Sequence, residues 1–346
     1  MLRDLALKQD NGLTEVNGLG ILGKIANGVA GLAAFEDYRA RKSDNTLRRQ
    51  DADLRLFAEF LQEKGVEVGD LASDPKAWAG VTWGLVAAFQ YWQLARGYAV
   101  NSVNVRISTI KTYSKLSFKA GVLSAEVYAL IRAVEGYSQT ERKRIDEKRE
   151  AAGVETRRGH KKERAVKISA WQAGRLKKQP DTPQGRRDRL LMCLLLDHGL
   201  RISEVTGLLL ENFDLETGVM TFYRKKTDKI EAHKLTGDTL RAALDYIRID
   251  NNKAHGPLLK GSMKTKGMDQ AELLGGMSER AIFKRVEKLG KMAGVDGLSP
   301  HDCRHYAATR YAKTKGLREL MDIFGWTSPA MAARYIESAT VISPED

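Results

Sequence analysis

Several short stretches in the second half of the sequence carry side chains that could act on a phosphate. His301 and Arg304 lie three residues apart behind Ser299-Pro300. A serine cap, a proline at the first helical position and Asp302 three residues after the cap predict a helix start there. Free backbone N–H groups and the positive end of the helix dipole favour an anion at such a place, and both side chains would add donors to it; a surface pair is the plainer alternative. Arg201, in Gly199-Leu200-Arg201-Ile202-Ser203-Glu204, is expected in a tight turn, with Gly199 as a left-handed helix cap and Glu204 placed to direct the guanidinium. An ordinary helix junction with a surface ion pair fits the same residues. Lys225 and Lys226, in Lys225-Lys226-Thr227-Asp228-Lys229, are expected at a hairpin tip, where strands present reactive groups and where solvated lysines are also common. Trp326 stands between a stop at Gly325 and a start at Thr327-Ser328-Pro329; its indole N–H could donate to a phosphate oxygen, or its ring could simply pack. Tyr335, on the last expected helix, supplies a phenol.

The elements that must hold these groups follow from periodicity and punctuation. A helix is expected after Ser169, and the apolar run 190–196 predicts a helix buried on nearly all sides and closed by Asp197-His198-Gly199. β-Branched and aromatic residues at 218–224 and again from Ile230 to His233 predict the hairpin, and a short helix over 317–324 ends at Gly325. The first half reads differently. From Thr46 a helical stripe runs through Leu47, Leu54, Phe57, Ala58 and Leu61 and stops at Gly65, and a second apolar helix carries Trp83, Val86, Ala87 and Trp92 before Gly97. A third turns Val103, Ile107 and Ile110 inward and sets Ser108, Lys111, Thr112, Lys115 and Lys119 on another face. That cationic, hydroxyl-bearing face is expected to grip phosphates without reading sequence; a merely solvated face is the bland alternative. Between 141 and 167 apolar periodicity fades into Arg142-Lys143-Arg144, Arg157-Arg158 and Lys161-Lys162, the expected interdomain linker.

Composition bounds the partners. The 346 residues carry 57 Lys and Arg against 44 acidic residues, a formal charge of +13 with a pI near 9.6, which favours a polyanion over an acidic small molecule. The length predicts two domains. Cys193 and Cys303 are the only cysteines, so a disulfide framework is not expected and a reducing cytoplasm is. No segment approaches membrane-spanning length and no charged leader precedes an apolar run, so a soluble protein without membrane contact is expected. Gly18-Leu19-Gly20-Ile21-Leu22-Gly23 fits a dinucleotide-binding glycine pattern. The preceding residues are too polar for a buried strand and no βαβ pattern follows, so the expectation is a flexible or weakly helical leader.

Taken in order, Gly-Leu-Arg-Ile-Ser-Glu, Lys-Lys-Thr-x-Lys on a hairpin, His-Asp-Cys-Arg-His, Gly-Trp-Thr-Ser and a final Arg-Tyr resemble the catalytic domain of the tyrosine recombinases, the phage integrase family. The resemblance covers residues 168–338, and the helices around 44–137 resemble the family's core-DNA-binding domain more loosely. It implies a mostly α fold with a small antiparallel β-sheet in the C-terminal domain, arranged as a two-domain DNA clamp. The expected boundaries are a leader or arm over 1–43, the helical DNA-binding domain over 44–140, a linker over 141–167, the catalytic domain over 168–338 and a tail over 339–346.

By the same resemblance, Arg201 and Arg304 look like the phosphate-clamping arginines, Glu204 like their supporting acid, Lys226 like the hairpin lysine, His301 like the histidine of His-x-x-Arg and Tyr335 like the nucleophile. Trp326 departs from the histidine most integrases have there. It implies donation by N–H and no proton exchange. A phenol of pKa about 10 needs help to lose its proton, a task that falls to His301; Lys226, in a cationic cluster, protonates the departing 5′-oxygen. The product is a 3′-phosphotyrosyl bond whose energy is conserved, so neither metal nor cofactor is expected. Double-stranded DNA with defined sites is the implied partner, bound by a homotetramer that is a monomer or weak oligomer when free. The alternatives are a type IB topoisomerase-like relaxation of supercoils and a catalytically silent DNA-binding regulator.

Overall fold

The structure, a computed structural model, describes residues 18–158, 165–251, 255–263 and 272–340. The chain forms two compact units, residues 1–161 and 162–346. Their division falls inside the basic stretch read as a linker.

The first unit is helical: α1 (Gly18–Leu32), α2 (Ala34–Ala40), α3 (Asp44–Gln62), α4 (Trp83–Ala95), α5 (Val100–Lys119), α6 (Ala125–Ala133) and α7 (Gln139–Ala151). Ser43, Thr82, Ser124 and Ser138 cap the starts of α3, α4, α6 and α7 with their hydroxyls, which is where such residues stabilise otherwise unpaired N–H groups. The core gathers Leu54, Phe57, Phe60, Leu61, Phe89, Val103, Ile107, Ile110 and Tyr113, so the stripes read for α3 and α5 do face inward. Trp83 does not: it opens α4, ahead of the turn that buries Val86 and Phe89, and stays 52% exposed.

Two stretches differ from expectation. The first half of the linker is helix α7, opened by a reciprocal Ser138–Glu141 capping box and laced by Arg142–Asp146 and Lys143–Glu147 pairs four residues apart. Such a helix is held by caps and charge pairs and shows no apolar stripe. The leader, expected to be flexible or weakly helical, is helical from residue 18 onward and is tied to the core. Helix α2 sinks Ala34 and Phe35 against the core, and Arg39 bridges Asp51 and the Tyr113 hydroxyl. The glycine pattern at 18–23 opens α1, with empty space beside Gly18, Gly20 and Gly23. Helical backbone there closes no phosphate-cradling loop. Residues 1–17 lie outside the described residues.

The second unit follows the order α8 (Ala170–Lys177), α9 (Pro183–Leu196), α10 (Ile202–Thr206), β1 (Phe213–Asp214), β2 (Val219–Arg224), β3 (Lys229–Lys234), α11 (Gly237–Asp250), β4 (Lys260–Met263), β5 (Glu272–Gly276), α12 (Glu279–Met292), α13 (Pro300–Ala312), α14 (Leu317–Phe324) and α15 (Pro329–Thr340). It is mostly helical with two small antiparallel sheets, β1-β2-β3 and β4-β5. Strands β2 and β3 pair from Val219↔Lys234 to Arg224↔Lys229, which leaves residues 225–228 as the tip. Residues 190–196 of α9 are all fully buried, Cys193 among them, and α8, α11 and α13 pack around this helix. A smaller apolar cluster of Ala307, Ala308, Leu320, Phe324 and Ala332, with Trp326, Tyr335 and Ile336 against it, binds α13, α14 and α15 together. That satellite core fixes Trp326 and Tyr335 and the helix that carries His301 and Arg304.

Candidate active site

Helix α14 ends where Gly325 adopts a left-handed conformation, φ 55°. The last carbonyls of a helix lack partners within it and carry the negative end of its dipole. Three arginines answer them. Phe324 O accepts from Arg304 Nη2 at 2.5 Å and Arg201 Nη2 at 3.4 Å, and Ile323 O accepts from Arg224 Nη2 at 2.5 Å. A side chain on residue 325 would collide with Arg224, because a Cβ there falls 2.6 Å from Nη1. Gly199 is constrained in the same way: its φ is 60°, and a Cβ would stand 2.5 Å from the Phe324 ring. Its carbonyl accepts from Arg304 Nη1 at 2.6 Å, so the turn after α9 and the end of α14 grip one guanidinium between them.

Glu204 is the counter-charge. Its carboxylate accepts from Arg201 N at 2.8 Å and Arg201 Nη1 at 2.7 Å, and lies 3.7 Å from Arg224 and 3.9 Å from Arg304. One buried carboxylate thus faces three guanidiniums, with Glu231 a further 3.8 Å from Arg224 Nε. Burial, and next the neighbouring Arg201 charge, pushes Arg304 down to about 9. Burial also lowers Arg224. Three guanidiniums against Glu204 and Glu231 leave a surplus of positive charge that an anion would relieve. Arg224, 1% exposed, escaped the sequence reading. The strand alternation held the signal, since Met220, Phe222 and Arg224 turn to the same buried face, and a buried arginine needs acceptors.

The capping box of Ser299 and Asp302 opens α13 as expected. His301 is exposed at its first turn and His305 is half-buried one turn on. Tyr335, from α15, brings its hydroxyl to 2.6 Å from His305 Nδ1, and His305 Nε2 lies 3.0 Å from His301 Nε2. The phenol's near partner is therefore His305, the last residue of the His-Asp-Cys-Arg-His motif, with His301 behind it. Tyr335 thus meets His301, the histidine expected to take its proton, only through His305. Both imidazoles are held below their ordinary range by burial first, His301 next by Arg304 and His305 next by His301. Burial raises Tyr335, while Arg304 and Arg334 pull it down.

Trp326 stacks on Tyr335, ring centroids 5.1 Å apart and planes 6° apart, and its other neighbour is Phe324 at 4.9 Å. The indole is a slab that fixes the plane of the phenol, a packing role alongside the N–H donation expected of it. The Arg304 guanidinium lies 6.0 Å from the same ring.

Lys225 and Lys226 occupy the β2–β3 tip and are exposed. Thr227 N donates to Arg224 O, and Asp228 takes the left-handed position with φ 53°, accepting from the Tyr223 hydroxyl at 2.7 Å. Lys226 and Thr227 line an open groove of about 450 Å³ together with Met321, Gly325, Trp326 and Thr327. The groove joins the hairpin lysine to the tryptophan side of the arginine cluster. Lys225 is not among the groove residues. In the other unit, Ser108, Lys115 and Lys119 are exposed and Lys111 and Thr112 partly so. Thr112 spends its hydroxyl on Ser108 O at 2.8 Å, and burial lowers Lys111. Among the described residues no group of three His, Cys, Asp or Glu is arranged to hold a metal ion.

Residues 167–341, half of the chain, match the phage integrase family. The tyrosine recombinase XerD of Neisseria meningitidis serogroup A is 31% identical over 161 residues, which span 46% of this chain and 53% of that protein. The chain thus covers about half the length of that relative. The tyrosine recombinase XerC of Mycobacterium sp. strain JLS is 24% identical over 317 residues, 88% of this chain and 92% of its own. Among solved structures, a lambda integrase dimer bound to a COC′ core site superposes with a TM-score of 0.59 at 14% identity, covering 99% of this chain and 85% of that one. The Tn1549 transposon integrase in complex with transposon right end DNA gives 0.58 at 14% identity over 88% and 94%. The fold is shared with both. With the family match across the unit that carries the arginines and the phenol, this chain belongs to the phage integrase family of tyrosine recombinases.

Proposed function

We propose that this protein is a site-specific DNA recombinase in which Tyr335 attacks a backbone phosphate to form a 3′-phosphotyrosyl link. The observation that carries the reading is the gathering of a half-buried phenol, a hydrogen-bonded histidine pair and three guanidiniums around the start of α13 and the end of α14. A phosphodiester under attack spreads negative charge over its oxygens, so oriented cations and positioning supply most of the acceleration. Arg201 and Arg304 hold the non-bridging oxygens, Glu204 and the carbonyls of Gly199 and Phe324 hold those arginines in place, and Trp326 keeps the phenol in plane. Lys226, across the groove, protonates the departing 5′-oxygen.

The free 5′-hydroxyl then attacks the phosphotyrosine of a partner strand, and Tyr335 leaves with its proton restored. Exchange between two duplexes cuts four strands, each needing one tyrosine, so the active assembly is a tetramer on DNA. The lambda integrase and Tn1549 integrase structures hold a core site and a transposon right end; DNA as this chain's substrate rests on the site and on the +13 charge. On the first unit, Ser108, Lys111, Thr112, Lys115 and Lys119 of α5 are the phosphate contacts, and Lys225 is another at the hairpin tip.

The test is Tyr335→Phe. The wild type should leave a covalent protein–DNA band that survives denaturant, and the variant should lose it while retaining DNA affinity within about twofold. A band that persists in the variant removes Tyr335 as nucleophile. Exchanged products from two-site DNA support recombination; a change in linking number alone supports a topoisomerase.

A further inference from the structure

A phenol hydrogen-bonded to one imidazole, which is itself hydrogen-bonded to a second, is a wire with a direction. Tyr335 Oη stands 2.6 Å from His305 Nδ1 and His305 Nε2 stands 3.0 Å from His301 Nε2. Only one set of tautomers satisfies both contacts when all three groups are neutral and the phenol donates. Tyr335 donates to His305 Nδ1, His305 carries its proton on Nε2 and donates to His301, and His301 carries its own on Nδ1. The rings fit this use: His301 and His305 meet edge to face at 4.5 Å and 83°, and their spacing of one helical turn puts them on one face of α13.

We infer that His305 is the immediate proton acceptor for Tyr335 and that His301 is the terminal station of a two-imidazole relay. As Oη bonds to phosphorus and the P–O5′ bond breaks, the phenol O–H bond breaks and its proton moves to His305 Nδ1. The Nε2 proton of His305 moves to His301 Nε2. His301 ends as imidazolium and His305 ends neutral, with its proton exchanged from one nitrogen to the other. The proton that the 5′-oxygen receives comes separately, from Lys226. Rejoining runs the same transfers backward and returns the proton to Tyr335.

The relay ends on His301, the more exposed of the two histidines, where water and the neighbouring Asp302 support an imidazolium against Arg304, Arg201 and the positive end of the helix. The charged and titratable groups facing the pair are Asp302 and Arg304 on α13 itself, Arg201 from the turn before α10, and Arg334 and Tyr335 from α15. Asp302 favours the imidazolium and the arginines oppose it.

This inference rests on Tyr335 being the nucleophile, so the experiment separates the two. The probe is a nicked duplex carrying the sequence that the wild-type protein captures covalently from sheared DNA of its own genome, and the readout is the single-turnover rate of adduct formation. His305→Asn keeps an acceptor near the Nδ1 position but cannot take the proton. It is expected to slow adduct formation by about 10²–10⁴, with affinity for the same duplex within about twofold. The wild-type rate should fall toward acid pH as the histidine pair protonates, and the variant should lose that acidic limb. Imidazole added to His305→Ala should restore part of the rate, which it could not do for a disturbed fold. A wild-type rate and pH profile in His305→Asn overturns the relay and leaves the nucleophile standing. So does absence of rescue in a His305→Ala protein that binds DNA normally. Failure of the wild type to form any adduct overturns both.

Discussion

Glu204 sets the charge of the site, and at the scale of single residues its removal is the most informative lesion. Its side chain is 3% exposed and stands within 4 Å of Arg201, Arg224 and Arg304. Truncating one partner of a buried charge cluster strands the others, typically at about 3–5 kcal/mol. Glu204→Ala is therefore expected to lower unfolding stability by about that much, read as a shift of the urea midpoint at unchanged slope. A loss under 1 kcal/mol would show that the guanidiniums compensate one another through the α14 carbonyls alone. Arg304→Lys keeps a charge but cannot bond Gly199 O and Phe324 O with one planar fork. Its adduct-formation rate should drop by about 10²–10³, the usual effect of losing one oriented donor, and a rate within threefold of wild type contradicts the clamp. The legibility of these residues in the sequence was uneven for a physical reason. Arg201, Glu204, His301 and Arg304 announce themselves through caps and turns, which are local. Arg224 acquires its surroundings from α14, 99 residues on, and His305 from α15, 30 residues on, and no local rule reveals a partner that distant.

At the scale of elements, the site is built on helix ends. The left-handed glycine after α14 and the one after α9 let two chain reversals pack against Arg224 and Phe324, and both were readable because glycine is the residue such reversals require. Gly325→Ala should cost about 1–2 kcal/mol for the left-handed Cβ, plus the displacement of Arg224. It should lower Tm by several degrees and slow adduct formation together. A variant with unchanged Tm would show that Gly325 is not constrained. The hairpin and the α13 start were equally legible, from alternation and from Ser299-Pro300. Helix α7 was not. Its stability comes from the Ser138–Glu141 box and from charge pairs, and a helix without an apolar stripe looks like a linker to any reading based on burial. The same limit applied to α2, seven residues long, whose Phe35 is buried only because the rest of the first unit receives it.

At the scale of the whole molecule, charge and family agree. A formal charge of +13 predicts that DNA binding releases counterions, so raising salt from about 50 to 200 mM should weaken affinity by about 10³–10⁵ if six to ten phosphates are neutralised. A salt-independent affinity contradicts a phosphate-tracking interface. The division into two units at residue 161 and the phage integrase match over 167–341 put the proposed chemistry in the second unit, and the α5 face of the first is the proposed source of grip. The central claim is narrower than any of this, because it concerns one oxygen atom. It is tested most directly by trapping the wild-type protein on its captured duplex, digesting with nuclease and then trypsin, and sequencing the nucleotide-bearing peptide by mass spectrometry. Trypsin cuts after Arg334, so the account predicts a peptide whose first residue, Tyr335, carries the mass of a 3′-phosphonucleotide. The nucleotide on any other residue, or on no peptide at all, contradicts it.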